Sequence, residues 1–307
     1  MAVVVELENV TKRFGSHVAV DGLNLSVPQG VVYGFIGPNG SGKTTTLRMI
    51  LRIFHPDEGK VVVLGEESHS AANDRIGYLP EERGLYKKMT VRSTLRFYGQ
   101  LKGMRRCDAE IDSWLKRLDL SLWADRKIEA LSKGMAQKVQ FIATVLARPE
   151  LVILDEPFSG LDPVNMEVLK DAVLGFRETG ATVIFSTHDM DVAERMCDTI
   201  FMIFRGKKVL DGPLSSIQDQ YGRDTVRLRL SECRGRIDEL PGVRRLNDFG
   251  LYQELRLEEG CDPNQLLRHL LNLGRVERFE LARPSLRDIF VRIAGPDAAA
   301  DQEDRHV

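Results

Sequence analysis

Nine consecutive residues, Gly37-Pro38-Asn39-Gly40-Ser41-Gly42-Lys43-Thr44-Thr45, fit the pattern GxxxxGK[ST]. They follow the apolar run VVYGFI, which reads as a strand, and they open a stretch with helical patterning. Glycines at these places let backbone N–H groups turn inward around phosphate oxygens without a Cβ in the way. The helix N-terminus adds partial positive charge. Lys43 is placed to reach the β- and γ-phosphates of a nucleotide, and the Thr44 hydroxyl to sit on Mg²⁺. A plain glycine-rich turn has a similar composition; the strand before and the helix after separate the two.

Further along, LVILDEP (151–157) is an apolar strand ending in two carboxylates. Asp155 at the strand end can hold Mg²⁺ through its water shell, and Glu156 can orient or deprotonate an attacking water. Asp-Glu after a strand is by itself usually a solvated turn. It gains meaning from the phosphate loop, because phosphoryl transfer needs a metal ligand and a water-positioning base. His188 follows the strand TVIFST and is expected on the same sheet edge, within reach of a γ-phosphate. A lone histidine there is more often structural.

These residues need a scaffold, and the sequence outlines one. VVVELENV, LNLSV and VVYGFIG read as strands, with turns at Gly15-Ser16 and Pro28-Gln29-Gly30. A helix is predicted from Gly42 to about Phe54, and VVVLG is another short strand. From about 81 to 147 the pattern is helical: Thr90 can cap a segment carrying Val91, Leu95, Tyr98 and Leu101 on one face. Ile111, Trp114, Leu115 and Leu118 form a second stripe. Ser132 can cap a third helix with Val139, Ile142, Ala143 and Leu146. All three stripes read as core packing. LVILD and TVIFSTH are strands separated by a helix that Asp162 caps and Pro163 starts. Helices inserted between strands of one α/β layer account for this order.

After Leu210-Asp211-Gly212-Pro213 the character shifts. VRLRL, LYQELRL and RVERFEL alternate, QLLRHLLNL is helical, and PSLRDIFVRI closes as a helix starting at Pro284. A small α+β domain over 221–295 is expected. The stretch 296–307 has no periodicity and is expected to be disordered.

Length and composition agree. The 307 residues leave room for about two domains, and 43% hydrophobic with 29% charged residues excludes collagen-like and disordered classes. Lys+Arg 43 against Asp+Glu 45 gives a net charge of −2, without the basic excess of a dedicated nucleic-acid binder, so no nucleic-acid partner is expected. Cys107, Cys197, Cys233 and Cys261 form no CxxC pair, which argues against a zinc site or a disulfide framework and fits a reducing cytosolic setting. The start, MAVVVELENVTKRFG, does not read as a signal peptide. LVIL and TIFMIF fall far short of the ~20 residues that span a bilayer, so the chain is expected to be soluble, working at a membrane only through a partner.

LSKGMAQKV (131–139), before the Asp-Glu strand, resembles the signature motif of ATP-binding cassette (ABC) ATPases. Residues 77–82 sit where that family has its lid, Ser159-Gly160-Leu161-Asp162 resembles its D-loop, and His188 its switch histidine. The order is matched over about residues 3 to 215. GYLPEERGLY, the LSKG form and the closing PSLRDIF resemble the ATPase subunits of bacterial sodium- or drug-extrusion exporters, which carry an additional C-terminal domain. The resemblance implies an α/β P-loop ABC ATPase core with an antiparallel β subdomain and an inserted helical subdomain over 1–215, followed by a small α+β domain. It implies ATP with Mg²⁺, an integral membrane permease partner, a place on the cytoplasmic face of the membrane, and a homodimer sandwiching each ATP between one subunit's P-loop and the other's signature.

In that scheme Lys43 and Thr44 serve phosphate and Mg²⁺, Asp155 holds Mg²⁺, Glu156 is the general base and His188 stabilises the γ-phosphate. Ser132 and Gly134 complete the site from the opposite subunit, and Asp162 links the two sites. Phe14 resembles the aromatic that stacks on adenine; the alternative is an interior strand-end aromatic. Residues 83–89 resemble the permease-docking stretch; the alternative is a mobile surface loop. Two departures stand out. Lys133 and Met135 replace a glycine and a glutamine of the usual LSGGQ. Glu81 stands where the lid glutamine would be, so a carboxylate could approach Mg²⁺ directly, unless it simply faces solvent. Two rival functions remain: a soluble ABC ATPase not tied to transport, and a regulatory subunit with negligible hydrolysis. A single P-loop and the absence of a long coiled-coil insertion weigh against the first, and Glu156 with His188 against the second.

Overall fold

The computed structural model describes residues 2–67, 73–82, 84–222, 224–233, 235–248, 250, 252–258 and 260–295. Residue 83 of the expected docking stretch and the whole of 296–307 lie outside the described residues. The chain divides into two compact units, Met1–Pro213 and Leu214–Val307.

The first unit opens with β1 (Val3–Phe14) and β2 (His17–Pro28), followed by β3 (Val32–Ile36), the helix α1 (Lys43–Ile50) and β4 (Glu58–Val63). β1 lies between β2 and β4 in an antiparallel sheet. Its apolar side, with Val5, Leu7, Val10, Leu23 and Leu25, shares one core with Tyr33, Phe35, Leu47 and Phe201. α1 stops at Ile50, short of the predicted Phe54. Arg52 takes φ +57°, and the N–H groups of Ile53 and Phe54 both turn back to the Arg48 carbonyl.

β5 (Ile76–Leu79) is followed by the helices α2 (Val91–Leu101), α3 (Asp108–Arg117) and α4 (Lys133–Val145), and the chain returns as β6 (Leu151–Asp155). β5 and β6 pair in parallel, Ile76 opposite Leu151, so the three helices are an insertion between neighbouring strands. Thr90 and Ser132 cap their helices, each accepting a backbone N–H three residues on. Val91 and Leu95 are buried as the stripe predicts, but Leu101 is 62% exposed. Thr94 and Gly99 take the inner positions there, because the buried face of α2 drifts off the predicted stripe by its last turn.

Next come α5 (Pro163–Arg177), β7 (Thr182–Thr187), α6 (Met190–Met196), β8 (Thr199–Phe204) and β9 (Lys207–Pro213). The main sheet runs β5-β6-β7-β3-β8-β9, parallel except for β9. Every residue of β3, β6 and β7 is buried, as a parallel sheet covered on both faces requires. The C-terminal ends of β3, β6 and β7 therefore carry the phosphate loop, the two carboxylates and His188 on one edge.

The second unit holds α7 (Leu214–Gln220), β10 (Thr225–Ser231), β11 (Val243–Asp248), β12 (Gln253–Leu257), α8 (Pro263–Leu273), β13 (Arg275–Ala282) and α9 (Leu286–Ala294). Its antiparallel sheet has the order β11-β12-β10-β13. Val226, Leu228, Leu255, Leu257, Leu266 and Leu270 form its own core. α7 and β11 were not expected from the sequence. α9 begins after Ser285, whose side chain and that of Asp288 cap it reciprocally, so Pro284 lies outside the helix instead of starting it.

Candidate active site

The phosphate loop leaves β3 and enters α1 through two glycines that nothing else could replace. Gly37 has φ +159°, and a Cβ there would lie 2.2 Å from the Ile203 carbonyl oxygen; Gly42 has φ +107°, and a Cβ would lie 2.5 Å from the Ala19 carbonyl oxygen. Gly42 is also the N-cap of α1, which has no side-chain cap. Its first-turn N–H groups thus face the loop and suit an anion. Ser41 Oγ is buried without a hydrogen-bond partner, a donor that a phosphate oxygen would satisfy. Asn39 and Gly40 are exposed at the loop tip.

Lys43 is buried and donates to the carbonyls of Gly37 at 2.7 Å and Pro38 at 3.1 Å. Burial pulls its ammonium pKa below the usual lysine value, against the attraction of Glu156, Asp155 and Glu81. Thr44 donates its hydroxyl to Asp155 Oδ1 at 3.4 Å. Ser186 donates to the same oxygen. Burial raises the Asp155 pKa, and the hydrogen bonds from Ser186 and Thr44 oppose the rise. A hydroxyl and a carboxylate are hard oxygen donors of the kind Mg²⁺ accepts alongside phosphate and water oxygens. Among the described residues no group of three or more His, Cys, Asp or Glu could hold a metal on its own. A hydroxyl and one carboxylate, as Thr44 and Asp155 provide, fit an ion whose remaining ligands are phosphate and water oxygens.

Glu156 adopts φ +48°, a left-handed backbone that costs a non-glycine residue roughly 1–2 kcal/mol. Its N–H is held by both the carbonyl and the hydroxyl of Ser186 at 3.2 Å. The turn brings Glu156 Oε1 to 2.9 Å from His188 Nδ1 and 3.9 Å from Lys43 Nζ. The bond to Glu156 raises the His188 pKa against the effect of burial. Lys43, Thr44, Asp155, Glu156 and His188 thus form one connected cluster, as the spacing predicts.

Other sequence candidates lie around it. Glu81 is exposed and lines, with Glu82, Lys133, Gln137, Glu156 and Ser159, a cleft of about 360 Å³. Ser132 Oγ accepts the Met135 N–H at 3.3 Å, leaving its own proton to donate. Gly134 is buried at the second position of α4. Asp162 caps α5 through the Asn165 N–H at 2.9 Å. Phe14, at the end of β1, is 45% exposed instead of interior and meets Phe54 edge-to-face, centroids 5.5 Å apart. Ser186 was missed. It sits opposite Asp155 across the β6–β7 pairing, and its role depends on a strand order that no local pattern displays.

Comparison with known proteins agrees with this geometry. Residues 20–159 match the family model described as ABC transporter, and residues 212–294 match that of the ATP-binding protein DrrA1-3-like, C-terminal domain. The uncharacterized ABC transporter ATP-binding protein YhaQ of Bacillus subtilis is 40% identical, over 94% of this chain and 98% of its own. The Nod factor export ATP-binding protein I of Burkholderia lata is 33% identical, over 95% and 97%. A solved ATP binding subunit of an ABC transporter superimposes with TM-score 0.65 at 27% identity, over 71% of this chain and 93% of that one. The matches are to transporter components, so the alternative of a soluble ATPase not tied to transport finds no support. Full-length likeness, the ordered motifs and the cassette fold lead to one conclusion: the chain belongs to the ATP-binding subunits of ABC transporters, the ATPases that hydrolyse ATP in transport alongside membrane permease components.

Proposed function

We propose that this subunit powers export. Two copies close around two ATP molecules on the cytoplasmic face of the membrane, and hydrolysis reopens them against a permease. The observation that carries the hydrolytic step is Glu156 Oε1 between His188 Nδ1 and Lys43 Nζ, beside the Thr44–Asp155 pair. The backbone of 37–42, Ser41 and Lys43 hold the phosphates. Thr44 and Asp155 would hold Mg²⁺, with Glu81, on the lining of the cleft it shares with Glu156, as a further carboxylate for it. Bound there, Mg²⁺ would supply charge neutralisation on the phosphate oxygens. Glu156 takes the proton of the attacking water, and His188 keeps its carboxylate aimed while reaching for the γ-phosphate. Phe14, exposed at the end of β1, stacks on the adenine. Ser132 and Gly134, at the start of α4, present a hydroxyl and helix N–H groups to the partner's γ-phosphate. Asp162 ties the two sites. The ATPase occupies about 1–215 and the accessory domain 221–295.

Export rests on likeness to exporters such as the Nod factor export protein, at 33% identity over 95% of this chain. Among the described residues no helix is long and apolar enough to cross a membrane, so a permease must supply the path. Tyr86 is 53% exposed and meets Phe97 edge-to-face at 5.6 Å, offering an aromatic surface beside the lid for that partner. The test is affinity purification of tagged chain from detergent-solubilised membranes of its source, in ATP. A stoichiometric polytopic membrane protein is expected. Ribosomal or DNA-associated proteins without one would overturn the transport reading of this site.

A further inference from the structure

The signature here carries a lysine where the family pattern has glycine, and the structure shows where that side chain goes. A Cβ at Gly160 would lie 2.1 Å from Lys133 Nζ, 2.9 Å from its Cε and 3.7 Å from its Cδ. The lysine stem therefore lies across Gly160, in the loop that follows Glu156 within the same chain. Gly160 has φ +67° and no side chain, which leaves the lysine its path. Two further contacts join the same elements. Gln137 Nε2, one turn along α4, donates to the Pro157 carbonyl at 3.1 Å in a buried bond. A Cβ at Gly134 would lie 2.9 Å from Asn165 Nδ2, and that amide bonds Asp162.

The charges explain the direction. Lys133 opens α4, where a cation faces the positive end of the helix dipole and is disfavoured. Swung away across Gly160, it borders the cleft that Glu81, Glu82 and Glu156 also line. Among the described residues lining that cleft, Lys133 carries the positive charge opposite three carboxylates. A glycine at this position would leave Gly160 without the stem packed across it and the cleft lining without a positive charge.

We propose that Lys133 is a positioning residue. In its own subunit it holds the 159–162 loop, and Glu156 ahead of it, in register with the first turn of α4. The signature that serves one nucleotide and the general base that serves the other then move together. This rests on the role proposed above for Glu156. It places the lysine's action in cis, apart from any contact with a partner's phosphates.

The test is steady-state ATPase kinetics of the full chain with Lys133→Met, Lys133→Arg and, as reference, Glu156→Gln. Met keeps the unbranched stem as far as the Cε position and removes the ammonium. It is expected to lower kcat about tenfold with KM for ATP within about twofold, and Arg to restore kcat to within about threefold. A kcat for Lys133→Met within about twofold of wild type overturns the inference. So does a rise in KM at unchanged kcat, which would make Lys133 a nucleotide contact. So does failure of Arg to rescue. If Glu156→Gln is inactive while Lys133→Met is normal, only this inference falls. If Glu156→Gln turns over normally, the general-base reading falls and takes this one with it.

Discussion

Glu156 Oε1 is shared by two partners, His188 Nδ1 at 2.9 Å and Lys43 Nζ at 3.9 Å, so one carboxylate joins the phosphate loop to the end of β7. Replacing it with glutamine keeps the shape and removes the base. Turnover by Glu156→Gln is expected to fall about 10²–10⁴-fold, with ATP binding retained and a nucleotide-bound dimer accumulating in size-exclusion chromatography. Near wild-type turnover would show that another group accepts the proton.

The same pair makes stability depend on pH. The bond to Glu156 raises the His188 pKa, while burial and Lys43 oppose it. The folded chain therefore holds that proton more tightly than the unfolded one. The contribution is fully present below the unfolded value of about 6.5 and is lost as pH rises through the higher folded value. Urea denaturation of wild type and His188→Asn at about pH 6 and about pH 8.5 checks this, and the substitution should cost more at the lower pH. An equal cost at both would mean that the pair carries no proton-linked stability.

The order of motifs and the cluster at the strand ends are both readable from the sequence, because each motif is a short run whose strand and helix flanks are local. Ser186 is not readable. It looks like any strand serine until β7 is known to lie beside β6, and then it donates to Asp155 and accepts the Glu156 N–H. Leu101 differs for a related reason: a stripe drawn at ideal spacing does not show that Gly99 lies against Cys107 and Leu146, which turns the buried face away from Leu101. β11 was missed because VRRLND is charged and half-exposed at a sheet edge, where the apolar alternation that marks a strand is weak.

Gly34, in the middle of β3, is demanded by packing and not by backbone conformation. A Cβ there would lie 2.4 Å from Cys197 Sγ and 3.1 Å from Ile200 Cδ1. Gly34→Ala is expected to destabilise by about 1–3 kcal/mol. Adding Cys197→Ala should recover part of that loss, giving a coupling above about 0.5 kcal/mol in a denaturation cycle. Strictly additive effects would place the strain elsewhere.

In the second unit, Asp288 N–H donates to Ser285 Oγ at 3.1 Å and Ser285 N–H to Asp288 Oδ2 at 3.2 Å. This box anchors α9, whose Leu286, Ile289 and Phe290 are buried. Ser285→Ala should cost about 1 kcal/mol and speed amide exchange within 286–294. Unchanged exchange there would mean that the buried side chains alone hold the helix end.

The place of β3 at the middle of its sheet has a consequence for synthesis. Gly30 donates its N–H to the Thr182 hydroxyl, 152 positions later, and the strand's neighbours β7 and β8 also come late in the chain. The whole phosphate-binding motif has thus left the ribosome long before the strand that aims it has anything to pair with. Such distant pairings are formed slowly and last. A nascent chain ending ahead of β7 would carry every residue of that motif and lack the sheet that shapes it. A nucleotide that binds the shaped loop therefore adds its stabilisation to the chain in which that sheet has assembled.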